Sequence, residues 1–235
     1  MKVYLALPTY DGKSQCDSMW TVLNAPAGKH PSGTFVKPVS RQSSLLGKGF
    51  CLLWAEAVQL GFDVFAMLHA DIAVANKHWL MRLIEIMRTS EAGVLSAVVR
   101  LKDDSGETST AYELPTVKTL HIAEIARLPE VFGRAEVSDM IGQDCGRLLV
   151  NTGCFVADIR QPWARQVDFA VETSIDWKQS PPYVNINPED WRFSRMVADA
   201  GGVVKATKAL KTEHCGVRWY CSDGRDSDKS SYHHA

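Results

Sequence analysis

The stretch that most constrains this chain is Val64-Phe65-Ala66-Met67-Leu68, a continuous apolar run set behind Gly61 and ended by His69-Ala70-Asp71. A short unbroken apolar run between turn signals predicts a strand buried on both faces. Such strands belong to parallel sheets covered by helices, and those sheets bind ligands outside the carboxyl ends of their strands. His69 and Asp71 lie two apart, so an extended backbone points both to one side. An imidazole and a carboxylate there can face a cation or a sugar hydroxyl. The plainer alternative is a helix start, with Asp71 or Asn76 as its cap.

The segments around this run alternate. Lys2 to Leu7 predicts a strand, ended by the turn Pro8-Thr9-Tyr10-Asp11-Gly12. Ser14 to Leu23 predicts a helix capped by Ser14 or Asp17, with Met19, Trp20 and Leu23 on its apolar face. A second strand follows over Thr34 to Val39, with Pro38 near its end. Leu45, Leu46, Phe50, Leu53, Trp54, Ala57 and Val58 then recur at helical spacing up to Gly61. Trp79, Leu80, Leu83, Ile84 and Met87 make another helical stripe, most simply core, before a strand within 92–101. This order predicts an α/β fold, a single domain with a mostly parallel central sheet flanked by helices.

Residues 102–110 read as an exposed turn. Residues 111–146 leave open a helix over 119–128 or an irregular strand over 120–125. Residues 148–157 suggest two strand pieces broken at Gly153, and 162–171 a short helix. Pro188 opens a helix over Glu189 to Ala200 that stops at Gly201-Gly202, before a strand over 203–210 and a turn over 212–216. One domain over 1–221 and a polar, flexible tail over 222–235 are expected.

Composition removes several function classes. The 235 residues carry 26 basic and 27 acidic side chains, a net charge of −1, with no basic tract to track a nucleic-acid backbone. No segment approaches the ~20 apolar residues of a membrane span. The apolar N-terminus is too short for a signal peptide, so a cytoplasmic protein is expected. The six cysteines include no CxxC pair and read as reduced thiols. Cys215 and Cys221 beside His214 match no common zinc spacing.

Two further stretches carry chemistry. Asn187-Pro188-Glu189-Asp190-Trp191 sets two carboxylates at a helix start, where the helix dipole favours anions. They either stabilise the helix or supply a general base near a sugar hydroxyl. Glu213-His214-Cys215-Gly216 places an imidazole beside a backbone turn. An oxygen from Asp71 and a nitrogen from His214 form a mixed donor set suited to Mn²⁺ or a similar ion.

These residues, in this order, resemble a GT-A fold glycosyltransferase that uses a nucleotide sugar, of the family 2 type. Pro8-Thr9-Tyr10 resembles its nucleotide-contacting turn, and His69-Ala70-Asp71 its Asp-x-Asp metal motif. Pro188-Glu189-Asp190-Trp191 resembles its acidic helix, and His214-Cys215-Gly216 its C-terminal metal-binding His. The resemblance implies a nucleoside-diphosphate sugar donor, UDP-sugar favoured, a divalent metal (Mn²⁺ or Mg²⁺) and an acceptor hydroxyl on a saccharide, protein, lipid or modified nucleic acid base. It implies Asp71, His214 and His69 as metal ligands. Pro8, Thr9, Tyr10, Arg41, His69, Ala70 and Asp71 would contact the donor. Asn151, Thr152 and Gly153 would form a floor under sugar and acceptor. Asp190, or less so Glu189, would be the base of an inverting transfer. His69 departs from the pattern, standing where the family has its first Asp. Two rivals stand beside this reading. A nucleotidyltransferase would want a Gly-rich basic loop that Asp11-Gly12-Lys13 imitates poorly, and a non-catalytic nucleotide-sugar-binding protein of the same fold would bind without transfer.

Overall fold

The computed structural model describes residues 1–25, 28–29, 33–178, 180–216 and 219–224. The first half alternates as the apolar pattern dictates: β1 (Lys2–Thr9), α1 (Cys16–Asn24), β2 (Gly28–Lys29), β3 (Phe35–Gln42), α2 (Leu46–Gln59) and β4 (Val64–Leu68). β5 (Ile72–Val74), α3 (Trp79–Thr89) and β6 (Val94–Ala97) follow. The stretch left open by the sequence forms an antiparallel pair, β7 (Glu107–Glu113) and β8 (Val117–His121), then α4 (Ile122–Arg127), β9 (Val131–Phe132) and α5 (Arg134–Ile141). The chain ends with β10 (Leu148–Leu149), β11 (Cys154–Asp158), the hairpin β12 (Glu172–Asp176) and β13 (Tyr183–Asn187), α6 (Glu189–Asp199), β14 (Val204–Thr207), β15 (Thr212–Cys215) and β16 (Trp219–Cys221).

The large sheet runs β2-β3-β1-β4-β11-β6-β14-β9. Of its six longer strands, five point one way, and β11 runs antiparallel between β4 and β6. The sheet is therefore mostly parallel with one reversed strand near its centre. Side chains alternate along β1 and β4 into separate cores, so both faces are buried as expected. Tyr4, Phe65 and Met67 join the aromatic core under α2 and α6, where Phe169 stacks on Phe193 at 4.6 Å. Val3, Leu5, Val64 and Leu68 join the core under α3, with Trp79 and Leu83.

Several expectations are corrected in detail. Residues 162–171 hold only a 3₁₀ turn at Pro162–Arg165, and 212–215 form a strand rather than a turn. The helix expected over 14–23 begins at Cys16, and neither Ser14 nor Asp17 caps it. Ser14 instead donates to the carbonyl of Ala70 at 3.0 Å. The expected tail start is tied down, since Ser222 Oγ accepts from the Thr212 amide; residues 225–235, with His233 and His234, lie outside the described residues. Among the described residues no helix is long and apolar enough to cross a membrane.

The largest correction concerns which face of α1 is buried. Met19, Trp20 and Leu23 are 39%, 57% and 66% exposed, while Ser18 and Thr21 are wholly buried. Hydrogen bonding outranks hydrophobicity here. Thr21 Oγ1 accepts from the Val74 amide at 3.0 Å, and the Thr21 carbonyl accepts from the Trp79 indole at 2.9 Å. A buried strand amide left without a partner costs about 1–3 kcal/mol. Thr21→Val is therefore expected to lower unfolding free energy by about 1–3 kcal/mol in urea titration. Trp20→Lys and Leu23→Lys, on the open face, are expected to stay within about 0.5 kcal/mol of the parent.

Candidate functional site

β1 lies between β3 and β4, so the chain leaves β1 to one side and later crosses to the other. In an open α/β sheet the crevice at such a reversal, beyond the carboxyl ends, is the ligand position. A cleft of about 410 Å³ opens there, with Pro8, Tyr10, Phe50, His69, Ala70 and Asp71 in its walls. That is within the size range of small-molecule sites. Leu46, the first residue of α2, also borders it, and that helix has no side-chain cap.

Asp71 is the meeting point. Its carbonyl accepts from the Cys215 amide at 2.8 Å, next to the antiparallel pairing of β15 with β5. That register brings His214 alongside, its Nε2 3.7 Å from Asp71 Oδ2. His214 Nδ1 lies 2.8 Å from the carbonyl of Arg100. A carbonyl only accepts, so Nδ1 is assigned as the donor. Nε2 is then the ring nitrogen that faces Asp71. The Lys102 ammonium donates to the same Oδ2. Burial alone would raise the Asp71 carboxyl, but His214 and Lys102 outweigh it and hold the group well below the usual carboxylate range.

His69 stands apart from this group. Its amide donates to the Gly153 carbonyl at 2.8 Å, and its ring packs on Phe50 with centroids 5.1 Å apart. Burial pushes the imidazole down to about 4, with the charges of His214 and Lys102 adding and Asp71 opposing. Its Nε2 is cut off from solvent and without a hydrogen-bond partner among the described residues.

The donor set gives a mixed answer for a divalent ion. Asp71 and His214 suit Mn²⁺ or Mg²⁺ in residue type, and a ligand His commonly gives its other N–H to a carbonyl, as His214 does. Among the described residues, however, no three His, Cys, Asp or Glu side chains converge. An ion between Asp71 and His214 also requires Lys102 to leave Oδ2.

The other expected site residues divide. Pro8, Tyr10 and Ala70 line the cleft; Thr9 lies buried beside it, its carbonyl accepting from the Ser43 amide. Arg41 is not on the cleft wall but pairs with Glu56 of α2 at 3.4 Å. Asn151 is a brace for the backbone: its Nδ2 donates to the Ala97 carbonyl at 2.8 Å, and its Oδ1 accepts from Gly153 and Cys154 amides. Thr152 is buried with its hydroxyl unpartnered among the described residues. Gly153 is needed for space, because a Cβ there would lie 2.4 Å from Ile72 Cδ1.

Asp190 and Glu189 open α6. Ser194, one turn on, accepts from the Val150 amide and donates to the Asp190 carbonyl, which ties the helix start to the Asn151–Gly153 segment. Burial, with the adjacent Glu189 charge, pushes the Asp190 carboxyl up to about 7. Lys102 is the residue sequence reading passed over. It sits in a polar stretch that looked like exposed turn, and nothing in its neighbours signals a distant carboxylate. Asn151→Ala is expected to cost about 2–4 kcal/mol, read as a lowered thermal midpoint, since it strips partners from three buried backbone groups.

No family model matches the chain, and no curated protein matches it. The fold is similar to that in the crystal structure of A197 from STIV, which is 10% identical, with 96% of this chain and 93% of that one covered and a TM-score of 0.57. At that identity the likeness is one of fold.

Proposed function

We propose that the chain transfers a glycosyl group from a nucleoside-diphosphate sugar to an acceptor hydroxyl, using a sheet of the GT-A type. The observation that carries this reading is the charge arrangement at the end of β4. Asp71, on the wall of the cleft at the sheet's reversal point, accepts from the Lys102 ammonium and stands 3.7 Å from the His214 imidazole. A departing diphosphate is strongly anionic, and positive charge placed against it lowers the barrier to its departure. The uncapped amino end of α2 beside the cleft adds a second anion-favouring element. His69 Nε2, buried without a partner among the described residues, is a polar atom that a ribose or sugar hydroxyl would satisfy. Tyr10, 63% exposed on the rim, offers a face for a nucleobase. A Mn²⁺ or Mg²⁺ ion, if bound, would be held by Asp71 and His214 and would supply Lewis-acid charge to the diphosphate.

Asp190 is the base in this reading. Its proton affinity, centred on about 7, suits a group that must take a proton at neutral pH. Only the ionised form accepts, so turnover is expected to rise with pH through about 7 and then level. Asp190→Asn is expected to abolish that rise and lower the rate about 10²- to 10⁴-fold. The same variant reports on folding. The folded acid keeps a proton that the unfolded acid, near 3.8, has lost, so parent stability falls as pH climbs from about 4 through 7. Asp190→Asn is expected to remove this slope and to be the more stable protein at pH 8. Release of nucleoside diphosphate from a panel of nucleotide sugars, followed across pH, checks the rates. Turnover of nucleoside triphosphates instead would point to nucleotidyl transfer, and equal rates in parent and variant would remove Asp190 from the mechanism.

A further inference from the structure

Lys102 is hydrogen-bonded to the same carboxylate oxygen of Asp71 that faces His214. Its ammonium donates to Asp71 Oδ2, the oxygen 3.7 Å from His214 Nε2. The fold makes this position deliberately. The carbonyl of Arg100, two residues earlier, contacts the His214 ring, so one short segment sets both nitrogen-bearing neighbours of the carboxylate. Gly216 clears the lysine stem: a Cβ there would stand 3.2 Å from Lys102 Cβ. The lysine and aspartate side chains are 37% and 36% exposed, and Asp71 lines the cleft. An ammonium has three donors, and one bond to Asp71 leaves others for phosphate oxygens. Among the described residues no third His, Cys, Asp or Glu joins Asp71 and His214 to complete a metal site.

We propose that Lys102 supplies the positive charge for the leaving diphosphate in place of a divalent ion. The inference rests on the donor assignment above and goes beyond it by naming the cation. In the transfer, the bond from the sugar's anomeric carbon to the diphosphate oxygen breaks, and its electron pair stays on that oxygen. The Lys102 ammonium stabilises this oxygen's new charge through the diphosphate. The acceptor oxygen bonds to the anomeric carbon and its proton passes to Asp190. Asp71 keeps the ammonium in place, and His214 buttresses Asp71.

The test is nucleotide binding by the full chain, measured by calorimetry with UDP, GDP, ADP and CDP in EDTA and again in MnCl₂. At least one diphosphate is expected to bind in EDTA, with little gain from Mn²⁺. Lys102→Met, which keeps the stem, is expected to weaken that binding about 10- to 100-fold in EDTA, the worth of one charge-assisted hydrogen bond. Lys102→Arg, which keeps the charge, is expected to retain most of it. Binding of the parent that appears only with Mn²⁺ overturns the proposal and leaves the donor assignment standing. Parent-like binding by Lys102→Met in EDTA does the same. Absence of binding in both buffers overturns the donor assignment and this inference with it.

Discussion

The whole arrangement depends on one electrostatic constraint: a carboxylate placed at the end of a strand that has no water on either face. Val64 to Leu68 are completely buried, and the chain emerges from them through a half-buried His69 into Asp71. A charged carboxylate in such surroundings is tolerated only with hydrogen-bonded or oppositely charged partners. None is available locally, because Ala70 and Ile72 flank it. The partners come from segments 31 and about 140 residues away in the chain, Lys102 and His214. The strand order makes this possible. β15 pairs with β5 immediately after Asp71, while the continuation of β6 carries Arg100 and Lys102 past the same point. Sheet topology thus turns a local desolvation problem into a cluster of charge around Asp71, which itself lines the cleft.

Where the chain's own pattern was decisive, the fold could be read directly. The unbroken run 64–68 and the stripe beginning at Trp79 each bury on the faces their spacing demands. Gly201-Gly202 closes α6 because Gly201 takes a positive φ of 83°. Reading failed where a polar contact outweighed an apolar pattern. In α1, Met19, Trp20 and Leu23 form the more hydrophobic face, yet Thr21 is buried because a strand amide needs its oxygen. Composition along a helix does not record which backbone groups on a neighbouring strand lack a partner. The reversed strand β11 escaped for a related reason. A fully buried antiparallel strand in the middle of a sheet has the same apolar signature as a parallel one.

The site was legible in its types and less so in its roles. Asp71 and His214 meet, though they are far apart in sequence, because pairing of β15 with β5 is fixed by backbone bonds that no side chain announces. Asn151 shows the opposite error. An amide near a glycine at a strand break looks like a ligand contact, but both ends of the side chain are spent on backbone groups of three other residues. It shapes the cleft by holding Gly153 against His69 rather than by facing it. Arg41 is diverted in the same manner, towards Glu56, beside the buried Tyr4 whose hydroxyl is made harder to ionise by burial and by that same carboxylate.

The tautomer of His214 bears directly on how the charge cluster works. With Nδ1 donating to the Arg100 carbonyl, Nε2 is the ring nitrogen left to face Asp71, 3.7 Å from its Oδ2. The Lys102 ammonium donates to that same oxygen. The fold therefore brings an ammonium and an imidazole to one carboxylate, and Lys102 is the cation that folding itself delivers. In the proposed transfer that ammonium would meet the diphosphate without an ion recruited from solution, at the cost of one amine tied to one half-exposed acid.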